Sequence, residues 1–135
     1  MCIGLNPSTA NSDFDDPTIM WLTAILKHHG FGELLMTNLY AIVSKTPGKI
    51  FSVPDAQKDN DGWLLNTAAK SKIIIYCWGN FPRIEYRAKQ VQKMVAGGYC
   101  FGKSAAGMPY HPLALMYSGL KPELTSLAPY ATLPV

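Results

Sequence analysis

Charge, paired cysteines and long apolar runs are all scarce in this chain, and each scarcity narrows what it can be. Charged residues make up 16% of the 135 residues and hydrophobic ones 48%. Charge is slightly low for a globular domain, which suits a buried parallel sheet or an apolar patch that meets a partner. The net charge of +3 permits a nucleic-acid partner without requiring one. The three cysteines, Cys2, Cys77 and Cys100, are odd in number, far apart and set in apolar runs. With no CxxC pair, zinc and iron–sulfur sites lose their support, and no metal or cofactor is expected. Buried thiols in a reducing compartment are the plain reading. No apolar run approaches the length of a membrane span and no signal-peptide pattern is visible, so a cytoplasmic protein is expected. No internal repeat is present. The length suits one domain over residues 1–135, burying roughly two-thirds of its unfolded surface. Because the chain opens directly inside its first apolar run, residues upstream of that run are expected to be missing.

What is present is a sequence of apolar runs that end in polar, turn-forming residues. Cys2-Ile3-Gly4-Leu5 reads as a buried strand, broken by Asn6-Pro7-Ser8. Asp16-Pro17 then opens a helix, with the acid as N-cap and proline in the first helical position. That helix runs to about His29, with Ile19, Leu22, Ile25 and Leu26 on one face and Gly30 as its stop. His28 and His29 lie in its last turn, where a cation meets the negative end of the dipole. Leu34 to Tyr40 reads as a second strand, interrupted by Thr37-Asn38. Pro54 to Asp61 is polar and reads as a short helical turn or a loop, and a helix carrying Trp63, Leu64, Leu65 and Ala68 follows to about Lys70. Ile73 to Trp78 is the strongest strand signal, ending at Gly79-Asn80-Phe81-Pro82. Arg83 to Val95 spells a helix, Tyr99 to Gly102 a fourth strand, and the proline-bearing tail irregular wrapping.

Strands alternating with helices predict a three-layer α/β sandwich with a four-stranded, mainly parallel sheet. Such sheets bind ligands outside the carboxyl ends of their strands. Asn6, Pro7, Ser8, Asn38, Gly79 and Lys103 are collected there, with His111 in the loop beyond. Gly97 to Ser104 also satisfies the phosphate-loop pattern GxxxxGK[ST]. That pattern needs a strand before it and a helix after it. Here a helix precedes it, a strand lies inside it, and Gly107 and Pro109 preclude a long helix afterwards. It is therefore set aside.

Leu5-Asn6-Pro7-Ser8-Thr9-Ala10, Asp15-Asp16-Pro17-Thr18, Thr37-Asn38-Leu39, Trp78-Gly79 and His111-Pro112-Leu113 together resemble the bacterial and phage domain-of-unknown-function 1643 family. That likeness covers nearly the whole chain, and it supplies no activity. More distantly, the motif order is similar to that of the uracil-DNA glycosylase superfamily. Those enzymes have a G-x-x-P loop after the first strand, an asparagine ending the second, a glycine after the third and an HP loop after the fourth. Gly4-Leu5-Asn6-Pro7, Asn38, Gly79 and His111-Pro112 stand at the matching positions. Gly-Leu-Asn-Pro is most like the mismatch-specific branch, where asparagine replaces the water-activating aspartate. No serine follows His111-Pro112 as it does in most of those enzymes, and their basic DNA-tracking surface is not obvious.

The resemblance implies a nucleobase-recognising protein with a uracil-DNA glycosylase-like fold, and an N-glycosidic hydrolase as its enzyme form. In that reading Asn6 holds a water by its amide oxygen, though an amide is a poor base. His111 donates to the departing base, for which neutral imidazole suffices. Asn38 reads a pyrimidine edge with one donor and one acceptor, Phe14 stacks on a flipped base, and Leu115 or Leu113 wedges into the duplex. Pro7, Ser8, Gly79 and Lys103 complete the substrate contacts, Lys103 at a phosphate. A carboxylate of Asp15 or Asp16 is a further candidate base. The same residues also have plain structural uses. Asn6, Ser8 and Asn38 satisfy backbone groups at strand exits, His111 makes a turn before proline, Phe14 packs, Asp16 caps its helix, and Lys103 is solvated. Two other functions therefore stay open: a pocket that binds a free nucleotide or nucleoside without cutting DNA, and a phage-type interaction factor with a vestigial pocket that docks a protein partner.

Overall fold

The computed structural model describes residues 1–7, 16–41 and 56–130. Its centre is a five-stranded sheet in the order β2-β1-β3-β4-β5. The strands are short: β1 (Cys2–Gly4), β2 (Met36–Asn38), β3 (Ile75–Tyr76), β4 (Tyr99–Cys100) and β5 (Ala128–Pro129). The first four run parallel, and β5 pairs antiparallel with β4. A mixed α/β fold with a mainly parallel sheet is thus present, and the expectation of four strands is corrected to five. The fifth comes from the tail expected to be irregular, and it takes Pro129 because an edge strand tolerates a residue with no ladder N–H.

Side chains alternate across the sheet as strand geometry requires, and each face buries its own core. Cys2, Ile75 and Cys77 meet α1 (Pro17–His28) and α4 (Pro112–Tyr117) through Trp21, Leu22, Ile25, Leu26 and Leu115. Ile3, Tyr76 and Trp78 face the other way, into a cluster with Leu64 of α2 (Ala56–Lys70) and with Ile84, Ala88 and Val91 at α3 (Glu85–Met94). Helices therefore lie on both faces. The three cysteines are free thiols, all buried. Contact with Cys2 and complete burial push the Cys77 thiol well above its ordinary range.

Local chemistry explains most of the helix bounds. Asp16 caps α1, its Oδ1 accepting from Thr18 N–H at 2.8 Å. At the other end His29 closes α1, its Nε2 lying 3.0 Å from the Thr125 carbonyl oxygen, a contact that only a ring N–H can satisfy. Helix α2 begins at Ala56, so the polar stretch before Trp63 is helical through Asp61. Helix α4 was not expected, and a 3₁₀ turn over Pro122–Leu124 packs against α1. The phosphate-loop pattern does contain β4, and Lys103 pairs with Pro109 in an isolated antiparallel bridge. No helix of the described residues is long and apolar enough to cross a membrane.

Candidate functional site

The carboxyl ends of four parallel strands deliver their loops to one end of the sheet. At the exit of β1, Asn6 turns its Nδ2 onto the Pro7 carbonyl at 3.2 Å. Gly4 sits in register with Asn38, and a Cβ on it would come within 2.7 Å of Asn38 Oδ1. A glycine here thus lets the Asn38 side chain lie against β1. Asn60, on α2, donates from Nδ2 to the carbonyls of Asn38 and Leu39 at 2.9 and 3.1 Å, holding the exit of β2.

Pro7 and Asn38 both line a cavity of about 640 Å³, together with Tyr40, Asp59, Asn60 and Trp63 among others. That volume suits a small organic ligand. Burial raises the Tyr40 phenol above its ordinary value, opposed by the positive charges of Arg87 and Arg83. Trp63 is 57% exposed in this wall. Asp59, Asn60, Tyr40 and Trp63 were not expected to be site residues. The pattern of α2 hides Trp63: Asn60, Trp63, Leu64 and Thr67 fall at i, i+3, i+4 and i+7, the spacing of a core face, and the other three are buried. The indole at position 63, one turn from Asp59, sits at the edge of that face and is exposed.

A second group gathers at β3. Gly79 has φ +80, and a Cβ on it would lie 3.0 Å from His111 Cβ. Its N–H donates to the Pro109 carbonyl at 3.0 Å, docking the loop that carries His111. His111 is also the N-cap of α4, its Nδ1 accepting from Leu113 N–H at 3.1 Å. A nitrogen that accepts cannot carry the proton, so the neutral ring bears its hydrogen on Nε2. Burial pushes the imidazole below its usual value, and the charge of Asp16 pulls it part of the way back.

The expected residues thus fall into separate groups. Pro7 and Asn38 share the cavity, and Gly79 and His111 touch one another. Neither Gly79 nor His111 is among the described residues lining the cavity. Strand order sets the exit of β1, with Asn6, between the exits of β2 and β3. Ser8, Phe14 and Asp15 lie outside the described residues. Lys103 is exposed and stacks its Nζ over the Tyr130 ring, 4.5 Å from the centroid. Leu115 is 7% exposed in the core beneath α1, so its side chain is not on the surface that a duplex wedge requires, while Leu113 is half-buried. Arg87 is 3% exposed and committed to the Leu39 carbonyl, Gln90 and Asp61. Among the described residues no cluster of three or more histidine, cysteine or carboxylate side chains is placed to hold a metal ion.

The architecture defines an α/β protein whose parallel strands bring polar loops to one end of the sheet. Within that class the chain belongs to the DUF1643 family, described as proteins of unknown function, whose model matches residues 1–113. The matched region takes in every strand exit from Asn6 to His111. No curated protein and no solved structure matches the chain.

Proposed function

We propose that this chain recognises a nucleobase at the carboxyl end of its sheet, on a uracil-DNA glycosylase-like fold, and hydrolyses the N-glycosidic bond of a damaged or modified base. The observation that carries this reading is the setting of His111: a half-buried ring, its pKa lowered by burial, whose Nδ1 accepts from Leu113 N–H, so that in the neutral form Nε2–H is the donor. Hydrolysis of a glycosidic bond forms a bond from water oxygen to the sugar C1′ and breaks C1′–N. The electron pair leaves on the base. A neutral N–H aimed at a base oxygen stabilises that charge, and one such donor is worth on the order of 10²-fold or more in rate. Asn6 holds the water through its amide oxygen, and Asn38 reads the base edge. An amide cannot take the proton that water loses, which goes to solvent, so turnover is slow compared with a carboxylate site.

The test is base release from duplexes carrying uracil, hypoxanthine and modified bases. Wild type is expected to release one of them. Asn6→Ala and His111→Asp are expected to reduce release on the order of 10²-fold, because aspartate keeps the helix cap and, ionised, has no hydrogen to donate. Wild type inert across the panel ends the hydrolase reading.

A second reading, binding of a free nucleotide without cleavage, is supported by one observation. Arg87 is buried in an ion pair with Asp61 and so is unavailable to a DNA backbone, while the cavity beside α2 has the size of a small ligand.

A further inference from the structure

The cavity beside α2 has an indole in its wall, and a cation from another element acts electrostatically on that wall at Tyr40. Trp63 covers no core, whereas Trp21 and Trp78 are 6% and 1% exposed. A half-exposed indole in a concave wall is a platform on which any nucleobase can stack. Asp59, in the same wall, has the wrong sign for phosphate and the right one for base N–H groups.

The cation comes from the loop after β3. Arg83 is exposed and has φ +73, the non-glycine residue of positive φ among those described. A side chain in this backbone region is strained and persists only where its surroundings hold it. Its neighbours in the chain are fastened to elements that also carry cavity residues. Ile84, the next residue, is fully buried in the same cluster as Leu39, Tyr40 and Leu64. Arg87, one turn on, donates to the Leu39 carbonyl at 2.8 Å and pairs with Asp61 of α2 at 2.7 Å. The start of α3 is thus fastened both to the exit of β2 and to α2. The charges of Arg87 and Arg83 both act on the Tyr40 phenol in the cavity wall. Arg87 is buried, and Arg83 is the exposed one of the two.

We propose that the cavity is a two-point nucleotide site, in which Trp63 stacks on the base and Arg83 pairs with a phosphate of the same ligand. This rests on the nucleobase reading above and adds the ligand class: a base carrying a sugar phosphate, in preference to a free base or nucleoside. The planar guanidinium fork matches two phosphate oxygens at once. A monoester on a free mononucleotide and a diester in a strand present the same oxygens.

The experiment is calorimetric titration of the full chain with uridine and guanosine 5′-monophosphates, the matching nucleosides, inorganic phosphate and a short oligothymidine. At least one phosphorylated ligand is expected to bind tenfold or more tightly than the nucleosides and inorganic phosphate. Trp63→Ala and Arg83→Gly are each expected to weaken it at least tenfold, with Trp63→Phe and Arg83→Lys recovering part of the loss. Glycine takes φ +73 without strain, so Arg83→Gly should keep or raise the urea midpoint while binding falls. Preference for a mononucleotide identifies a monoester, and preference for the oligonucleotide a diester. Equal binding of nucleoside and nucleotide, or unchanged nucleotide affinity in Arg83→Gly, overturns the phosphate contact and leaves base recognition standing. No binding across the panel by a protein that releases a base overturns this inference alone. No binding and no release removes both.

Discussion

His111 does two things with one ring, and they pull its proton in the same direction. Its Nδ1 accepts from Leu113 N–H, which a ring protonated on both nitrogens cannot do, and its burial disfavours charge. The folded-state pKa therefore lies below the unfolded one, which is about 6.5. Below that value the unfolded chain binds the extra proton. Stability is full at neutral pH and above, falls as pH drops through about 6.5, and levels off below the folded pKa. Asp16, whose charge favours the imidazolium, softens the fall. His111→Asn keeps a good N-cap and removes the titration. Urea midpoints from pH 7.5 to 5 should converge or cross in favour of the variant as pH falls, and parallel curves would show a ring that does not titrate there. The sequence made part of this legible, since proline after a capping residue is a helix-start signal. The neighbouring Asp16 was not legible, because only the folded sheet end brings that cap near the imidazole.

Helix α3 shows what a pattern of residue types reveals and what it hides. Ile84, Ala88 and Val91 recur at helical spacing and do face the core. Arg87 lies three residues from Ile84 and four from Val91, on that same face, yet a charged residue reads as surface by default. Its burial is compensated by partners in other elements, the Leu39 carbonyl and the Asp61 carboxylate, which no local window contains. The polar start of α2 was hidden for a related reason. The residue it buries is Asn60, whose amide bridges two carbonyls at the exit of β2. Replacing Arg87 with Met leaves Asp61 and the Leu39 carbonyl without their cation, at a cost of roughly 3 kcal/mol, the low end for a broken buried pair because Asp61 is 28% exposed. Adding Asp61→Asn to that variant should recover part of the loss in urea denaturation. A single-variant cost under about 1 kcal/mol would mean that the pair contributes no more than a surface bridge.

At the scale of the molecule, the parallel order was readable because each early strand ends in a breaker and is followed by a helix. The far edge was not, because β5 is two residues long and includes a proline. What fastens that edge is Tyr130 rather than strand length. Its N–H donates to the Gly98 carbonyl at 2.9 Å, and its hydroxyl donates to the Gly107 carbonyl at 2.6 Å. Its ring meets Tyr76 edge-on at 5.5 Å and takes Lys103 over its face. Tyr76 in turn stacks on Trp78 and bonds the Val95 carbonyl, so Tyr130 touches the buried core through one side chain. Tyr130→Ala removes the ring contact, the hydroxyl bond and the cation partner together, which should cost about 2 kcal/mol. Tyr130→Phe keeps the ring contacts and should cost no more than about 1 kcal/mol. The cavity beside α2 lies across β1, β3 and β4 from this edge, so Trp63-dependent nucleotide binding should be unchanged in both variants. If Tyr130→Ala leaves the unfolding midpoint where it was, β5 opens independently of the rest and the cooperative unit ends at β4.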